Sequence, residues 1–161
     1  MAMHAVPFAL SPAKETQLAP GRVQSRTFQV RGIARLEGDR LTLEWSGSVD
    51  IVDMQGGNVR NLRQSVPAQR LVLPVTRIAH IEARGRWWKP YIELRTTNIG
   101  PLDLVPTALG GRVYLRIARR DWSIARDLVS HIHLEMADAA LREAQGAERD
   151  AESVDSGEHS S

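Results

Sequence analysis

The sequence predicts a mainly β fold of the α+β class. It reads as an antiparallel, partly open barrel of about seven strands, closed by one C-terminal amphipathic helix. Three observations predict this. Short alternating apolar and polar patterns recur from Phe28 to Ala118. Turn-forming Gly, Pro, Asn and Asp separate them. Apolar residues at helical spacing begin only after Asp121.

The first strand is read at 27–36. Phe28, Val30, Ala34 and Leu36 share one parity, Gln29, Arg31 and Arg35 the other, with Ile33 as the exception. Glu37-Gly38-Asp39 is a tight turn in which glycine supplies a positive φ. The return strand, 40–45, puts Leu41, Leu43 and Trp45 on one face and Thr42 and Glu44 on the other. Residues 46–67 carry the loop signals Ser46-Gly47-Ser48 and Gly56-Gly57-Asn58 around a short edge strand at 49–52. A structureless loop of that length is uncommon in a compact domain, so some local structure is expected there.

A strand at 69–73 stops at Pro74. The next, 77–84, changes phase between Ile78 and Ile81, which predicts a bulge. A loop then leads to strand 91–97, with Ile92 and Leu94 inward and Glu93 and Arg95 outward. Asn98-Ile99-Gly100-Pro101 turns the chain into a short strand at 102–105. Gly110-Gly111 turns it again into 112–118, with Val113, Leu115 and Ile117 inward and Arg112, Tyr114 and Arg116 outward. Asp121 suits a helix N-cap. Ala125, Leu128, Val129, Ile132 and Met136 mark one helical face, and Gly146 is read as the stop. Leu43, Ile92, Leu94, Leu115, Leu128 and Ile132 are expected in the core.

The ends carry no such pattern. Residues 1–24 hold Pro7, Pro12 and Pro20-Gly21 and are read as a flexible arm. Residues 146–161 are acidic and rich in Ser and are read as a disordered tail. The folded domain is therefore placed at 25–145. The 161 residues suffice for one domain, and a 42% hydrophobic share supports a core. There is no Cys, hence no disulfide and no thiolate metal site. Pro7 interrupts the early apolar residues and no basic region precedes them, so no cleaved leader is expected. No apolar run is long enough to span a membrane as a helix. A cytoplasmic location, reaching the membrane periphery, is expected.

Charge is uneven. Residues 1–142 carry 20 Lys and Arg against 13 Asp and Glu, an excess of +7; residues 143–161 carry Arg149 against six acids, or −5. A basic body suits an anionic partner, and an acidic tail either competes for that surface or simply aids solubility.

The segments Arg70-Leu71-Val72-Leu73-Pro74-Val75-Thr76-Arg77-Ile78, Pro90-Tyr91-Ile92-Glu93-Leu94 and Val113-Tyr114-Leu115-Arg116-Ile117, followed by Arg120-Asp121 and Ala125, resemble bacterial pleckstrin-homology-like (PH-like) domains. The likeness covers residues 27–137 and rests on element order and hydrophobic spacing. It implies a bacterial interaction domain without catalysis, one that binds phosphoinositides, peptides or other proteins. The lipid-binding members place Lys and Arg around the first hairpin loop. Here that loop is Glu37-Gly38-Asp39, short and acidic, which argues against a phosphoinositide site at the usual place.

Chemistry-bearing motifs are sparse. His131 and His133 lie about 200° apart on a helix and cannot share a metal on one face. His131 and Glu135 are read as a surface pair, and His80 as an exposed strand residue. Asp50 and Asp53 lack the spacing of a calcium loop. Gly56-Gly57-Asn58-Val59-Arg60 lacks the Gly-Lys-Ser/Thr ending of a phosphate loop, and Ser46-Gly47-Ser48 is no nucleophile elbow. No catalytic residue, metal or cofactor is assigned.

The suggestive stretch is the loop 84–89. Arg84, Arg86 and Lys89 surround Trp87 and Trp88. Two adjacent indoles on a strand cannot both point inward. Either one of them caps the barrel end with an Arg stacked on it, or the cluster binds an anionic surface. The expected function is an interaction domain for a protein partner. An anionic lipid surface held through this loop is the alternative, and a small enzyme or nucleic-acid binder ranks third.

Overall fold

The computed structural model describes residues 4–11, 14–86 and 88–155. Eight strands and one long helix form a mainly antiparallel fold. The strands are β1 (His4–Ser11), β2 (Lys14–Ala19), β3 (Arg22–Glu37), β4 (Arg40–Gln55), β5 (Asn58–Pro74), β6 (Ile78–Arg84), β7 (Tyr91–Thr96) and β8 (Arg112–Arg116), and the helix α1 is Trp122–Asp155. The sheet runs β5-β4-β3-β1-β8-β7-β6, with β2 also paired to β3. Strands β5 and β6 end this order without pairing to each other, so the barrel is partly open. The helix packs over β1, β3, β6 and the 3-10 turn Val75–Arg77 between β5 and β6.

The interior follows strand parity and the helical stripe. Leu43, Ile92, Leu94, Leu115, Leu128 and Ile132 are all buried, as their spacing predicts. The turn at Gly38 has its positive φ, and the hairpin of β3 and β4 pairs from Glu37 with Arg40 outward to Arg22 with Gln55. The register of β6 on β7 shifts between Ile78 and His80, where the phase change predicts a bulge.

The N-terminal segment corrects the sequence reading. Residues 4–11 and 14–24 are not an irregular arm, and residues 1–3, 12 and 13 of that expected arm lie outside the described residues. Strand β1 lies inside the sheet, pairing β3 on one side and, through residues 9–11, β8 on the other. Its Val6, Phe8 and Leu10 are buried. Pro7 stands where β1 has β3 on one side and no strand on the other, so its missing N–H is tolerated. The backbones at this crossing are close: a Cβ on Gly32 would meet the Glu44 carbonyl oxygen and the Phe8 ring.

In residues 46–67 the Gly56-Gly57 signal is the tight turn it predicts and 49–52 is strand, but Ser46-Gly47-Ser48 is not a loop. These residues continue β4 and β5 as one long hairpin, with Pro67 and Ala68 bulged opposite Ser46. With β2 and the first half of β3 they form a four-stranded blade that extends past the body, and side chains 54–65 are exposed. The expected strand at 102–105 is instead the end of the 3-10 turn Gly100–Leu102 and a following turn, anchored by buried Leu102 and Val105. The helix does not stop at Gly146. It runs 34 residues, about 51 Å. A single glycine in a helix costs only about 1 kcal/mol, which its neighbours absorb. Residues 156–161 of the expected tail lie outside the described residues. Among the described residues no helix is long and apolar enough to cross a membrane.

Two outcomes test this arrangement. Phe8→Ala should cost about 3–5 kcal/mol in urea denaturation; a loss under about 1 kcal/mol would remove β1 from the core. Truncation after Gln145 should leave Tm nearly unchanged, because side chains 146–154 are exposed throughout. A drop beyond about 4–8 °C would mean that this end packs on the body.

Candidate functional site

Strands β6, β7 and β8 turn their second face away from the core. Register sets the side chains in rows: Arg84 opposite Tyr91 and Tyr91 opposite Arg116, then Glu82 opposite Glu93 and Glu93 opposite Tyr114, then Arg95 opposite Arg112. Glu93 takes the outward parity that the sequence predicts, yet it is only 2% exposed. Long arginine side chains cover it. Arg95 Nε donates to its Oε1 at 2.8 Å, Arg112 Nε lies at 3.5 Å from the same oxygen, and Arg84 Nη1 lies at 3.5 Å from Oε2.

Burial pushes the Glu93 carboxyl pKa up. The hydrogen bond from Arg95 and the charges of Arg95, Arg112 and Arg84 outweigh that and hold it below the ordinary carboxylate range. Three cations thus share one buried anion at the centre of this face.

The loop after β6 sits at the edge of that network. Arg84 does not join the indole. Its Nε donates to Glu82 at 2.6 Å, which ties it to the sheet. Arg86 does join it, with Cζ 5.0 Å from the centroid of the Trp88 ring. Trp88 is 43% exposed. Trp87 lies outside the described residues. The Lys89 backbone N–H donates to Arg86 O at 2.8 Å and closes the turn, and Ile117 N–H donates to Pro90 O at 2.9 Å, pinning the loop to the end of β8.

That pin creates a cleft of about 640 Å3. Trp88, Lys89, Tyr91, Tyr114, Arg116 and Arg119 line it over buried Pro90 and Ile117. Tyr91 and Tyr114 meet edge to face, with ring centroids 5.7 Å apart at 77°, and Tyr114 OH accepts from Arg112 at 3.1 Å. Arg116 has no carboxylate within 4.0 Å among the described residues. It also lines an adjoining hollow of about 270 Å3 with Arg31 and Arg120.

Of the five residues singled out in the sequence, Trp88 and Lys89 line the cleft, Arg86 supports the indole, and Arg84 belongs to the Glu93 network. Sequence reasoning missed Tyr91, Tyr114, Arg116 and Arg119 as cleft residues. Their outward parity was legible, but only the β7–β8 register brings them to the Trp loop.

The four described histidines are occupied elsewhere. His133 Nε2 lies 2.7 Å from Ile81 O and ties α1 to β6. His131 does not pair with Glu135; it stacks on His4 at 4.0 Å, with Nδ1 2.7 Å from Asp127 O. His80 is half-buried beside Glu82, with Nε2 3.3 Å from Oε2. Among the described residues no group of three His, Asp or Glu could hold a metal. Comparisons with protein-family models, curated proteins and solved structures return no match.

The Glu93 network carries a pH signature. A carboxyl whose folded pKa is lowered stabilises the fold above its unfolded value of about 4.3, and that contribution is lost as pH falls through the folded value. Glu93→Gln should therefore be less stable than the parent at pH 7, by about 1–3 kcal/mol. The gap should narrow as pH drops below about 4. Urea unfolding at a series of pH values reads it, and a gap that stays constant down to pH ~3 would contradict the assignment.

Proposed function

We propose that this chain is a non-catalytic interaction domain, PH-like in architecture, that binds an acidic segment of a partner protein in the Trp88 cleft. One observation carries the reading. Most strand arginines are tied to carboxylates, as in Arg22 with Asp53, Arg35 with Glu44, Arg63 with Asp50 and Arg95 with Glu93. Arg116 is not, and it sits among three aromatic rings. A cation without a counter-ion beside exposed aromatic surface suits a ligand that brings its own carboxylate and an apolar side chain. The cleft shape favours an inserted side chain over a flat membrane surface.

The strand-then-helix order supports the PH-like reading, and the additional β1 inside the sheet is a departure from it. A protein of this build acts by holding its partner, so it needs no reactive residue of its own.

The test is fluorescence anisotropy with a labelled, extended peptide rich in Glu and Leu. Binding should be weak and salt-sensitive, fading as added salt of about 1 M shortens the Debye length to about 3 Å. Arg116→Glu and Trp88→Ala should each weaken it by about tenfold or more. Arg95→Ala, which acts on the Glu93 network, should change stability more than affinity. Co-sedimentation with anionic vesicles, without peptide binding, would replace this reading with the lipid one.

A further inference from the structure

The blade carries a second cleft, which shares no lining residue with the Trp88 cleft. Where β2–β5 leave the body, the face continuous with the core forms a concavity of about 880 Å3. Phe28 and Val49 form its buried end, Ile51 and Leu62 continue along the strands, and Pro106 leans over it from the segment after β7. This volume lies in the range of small-molecule sites, which favour the mouths of barrels and combine apolar walls with a few polar groups.

Its charges are not equivalent. Arg22 is committed to Asp53, with Nε and Nη2 donating to the two carboxylate oxygens at 3.0 and 2.6 Å. That hydrogen bond lowers the Asp53 pKa and keeps the pair ionised. Arg26, one row deeper, has no carboxylate within 4.0 Å among the described residues. Among the described residues its one side-chain hydrogen bond is long, Nη2 to Gln24 Oε1 at 3.5 Å. Its Nε is shut off from water and donates to nothing. Glu15 stands opposite Arg26 in the register but makes no ion pair with it. A half-buried guanidinium with an unmet donor is costly, and an acceptor entering the cleft would satisfy it.

We propose that this cleft binds a small amphipathic monocarboxylate. The carboxylate takes the Nε and Nη edge of Arg26, after a rotation of that flexible side chain, in the bidentate geometry a guanidinium favours. The apolar chain lies along Ile51 and Leu62 toward Phe28 and Pro106. Glu15, opposite Arg26 in the register and in no ion pair among the described residues, repels a second negative charge, so a carboxylate is preferred to a dianionic phosphate.

Isothermal titration calorimetry with decanoate, below its micelle concentration, tests this on the full chain. Decyl phosphate and decanol serve as comparisons. Decanoate should bind, with decyl phosphate and decanol weaker. Arg26→Met should weaken decanoate by about tenfold or more and leave decanol unchanged. Leu62→Asp provides a second variant that keeps its fold, because Leu62 is an exposed blade residue; it should weaken decanoate comparably. Trp88→Ala should leave decanoate binding intact, which separates this site from the cleft proposed above. No heat with decanoate, an Arg26→Met chain that binds it as well as the parent, or tighter binding of decyl phosphate would each overturn the proposal.

Discussion

Everything in this fold depends on one strand being held from both sides. In the order β5-β4-β3-β1-β8-β7-β6, β1 is, among the described residues, the one strand that pairs with both the long β2–β5 hairpins and the β6–β8 meander. The link is short on one side, three residue pairs with β8 against six with β3. Burial of Val6, Phe8 and Leu10 beneath the helix reinforces it. Without it the chain would hold two sheets with separate edges, each an invitation to pair with other chains. The Trp88 cleft needs β8 held in place, and the blade cleft needs β3, so both candidate sites rest on the same strand.

The arginines divide by what they face. On the strand faces most of them pair with carboxylates, and Glu44 and Glu93 each serve more than one. Exposed pairs of this kind add little stability. Glu93 differs because it is buried, so losing it leaves Arg95 and Arg112 without a carboxylate at the centre of that face. At the two clefts the pattern fails. Arg116 and Arg26 have no anion of their own among the described residues, and in each case aromatic or aliphatic surface lies alongside. A chain with a basic body can neutralise its sheet and still leave charge in chosen hollows.

The parts that project follow a different economy. The blade and the last turns of α1 bury little, so backbone hydrogen bonds and local propensity must hold them. For the blade, a four-strand ladder satisfies the inner strands on both sides, while Pro67 and the charges Arg60 and Arg63 mark its β5 edge. For the helix, thirty-four residues in one cooperative segment tolerate Gly146. Such segments open more easily than the core.

The sequence by itself determined the central hairpin, the bulge after Ile78, the core positions of β4, β7, β8 and α1, and the closing helix. Each of these has one buried face, and a buried face writes its period into the residues, as Leu41, Leu43 and Trp45 or Leu128 and Ile132 show. It also drew attention to Trp88 and Lys89 through their composition. It misplaced β1 because Pro7 and Pro12 read as loop punctuation, and nothing local reveals that Pro7 has a strand on one side only. It missed most of the blade because side chains 54–65 are exposed on both faces, so no buried face marks those strands. Only tertiary structure decided that Glu93 is buried, since its cover comes from arginines on three strands. Register, which no single strand contains, decided that Tyr91, Tyr114 and Arg116 join Trp88 and that Arg26 shares a hollow with Ile51 and Leu62 with no carboxylate within 4.0 Å among the described residues.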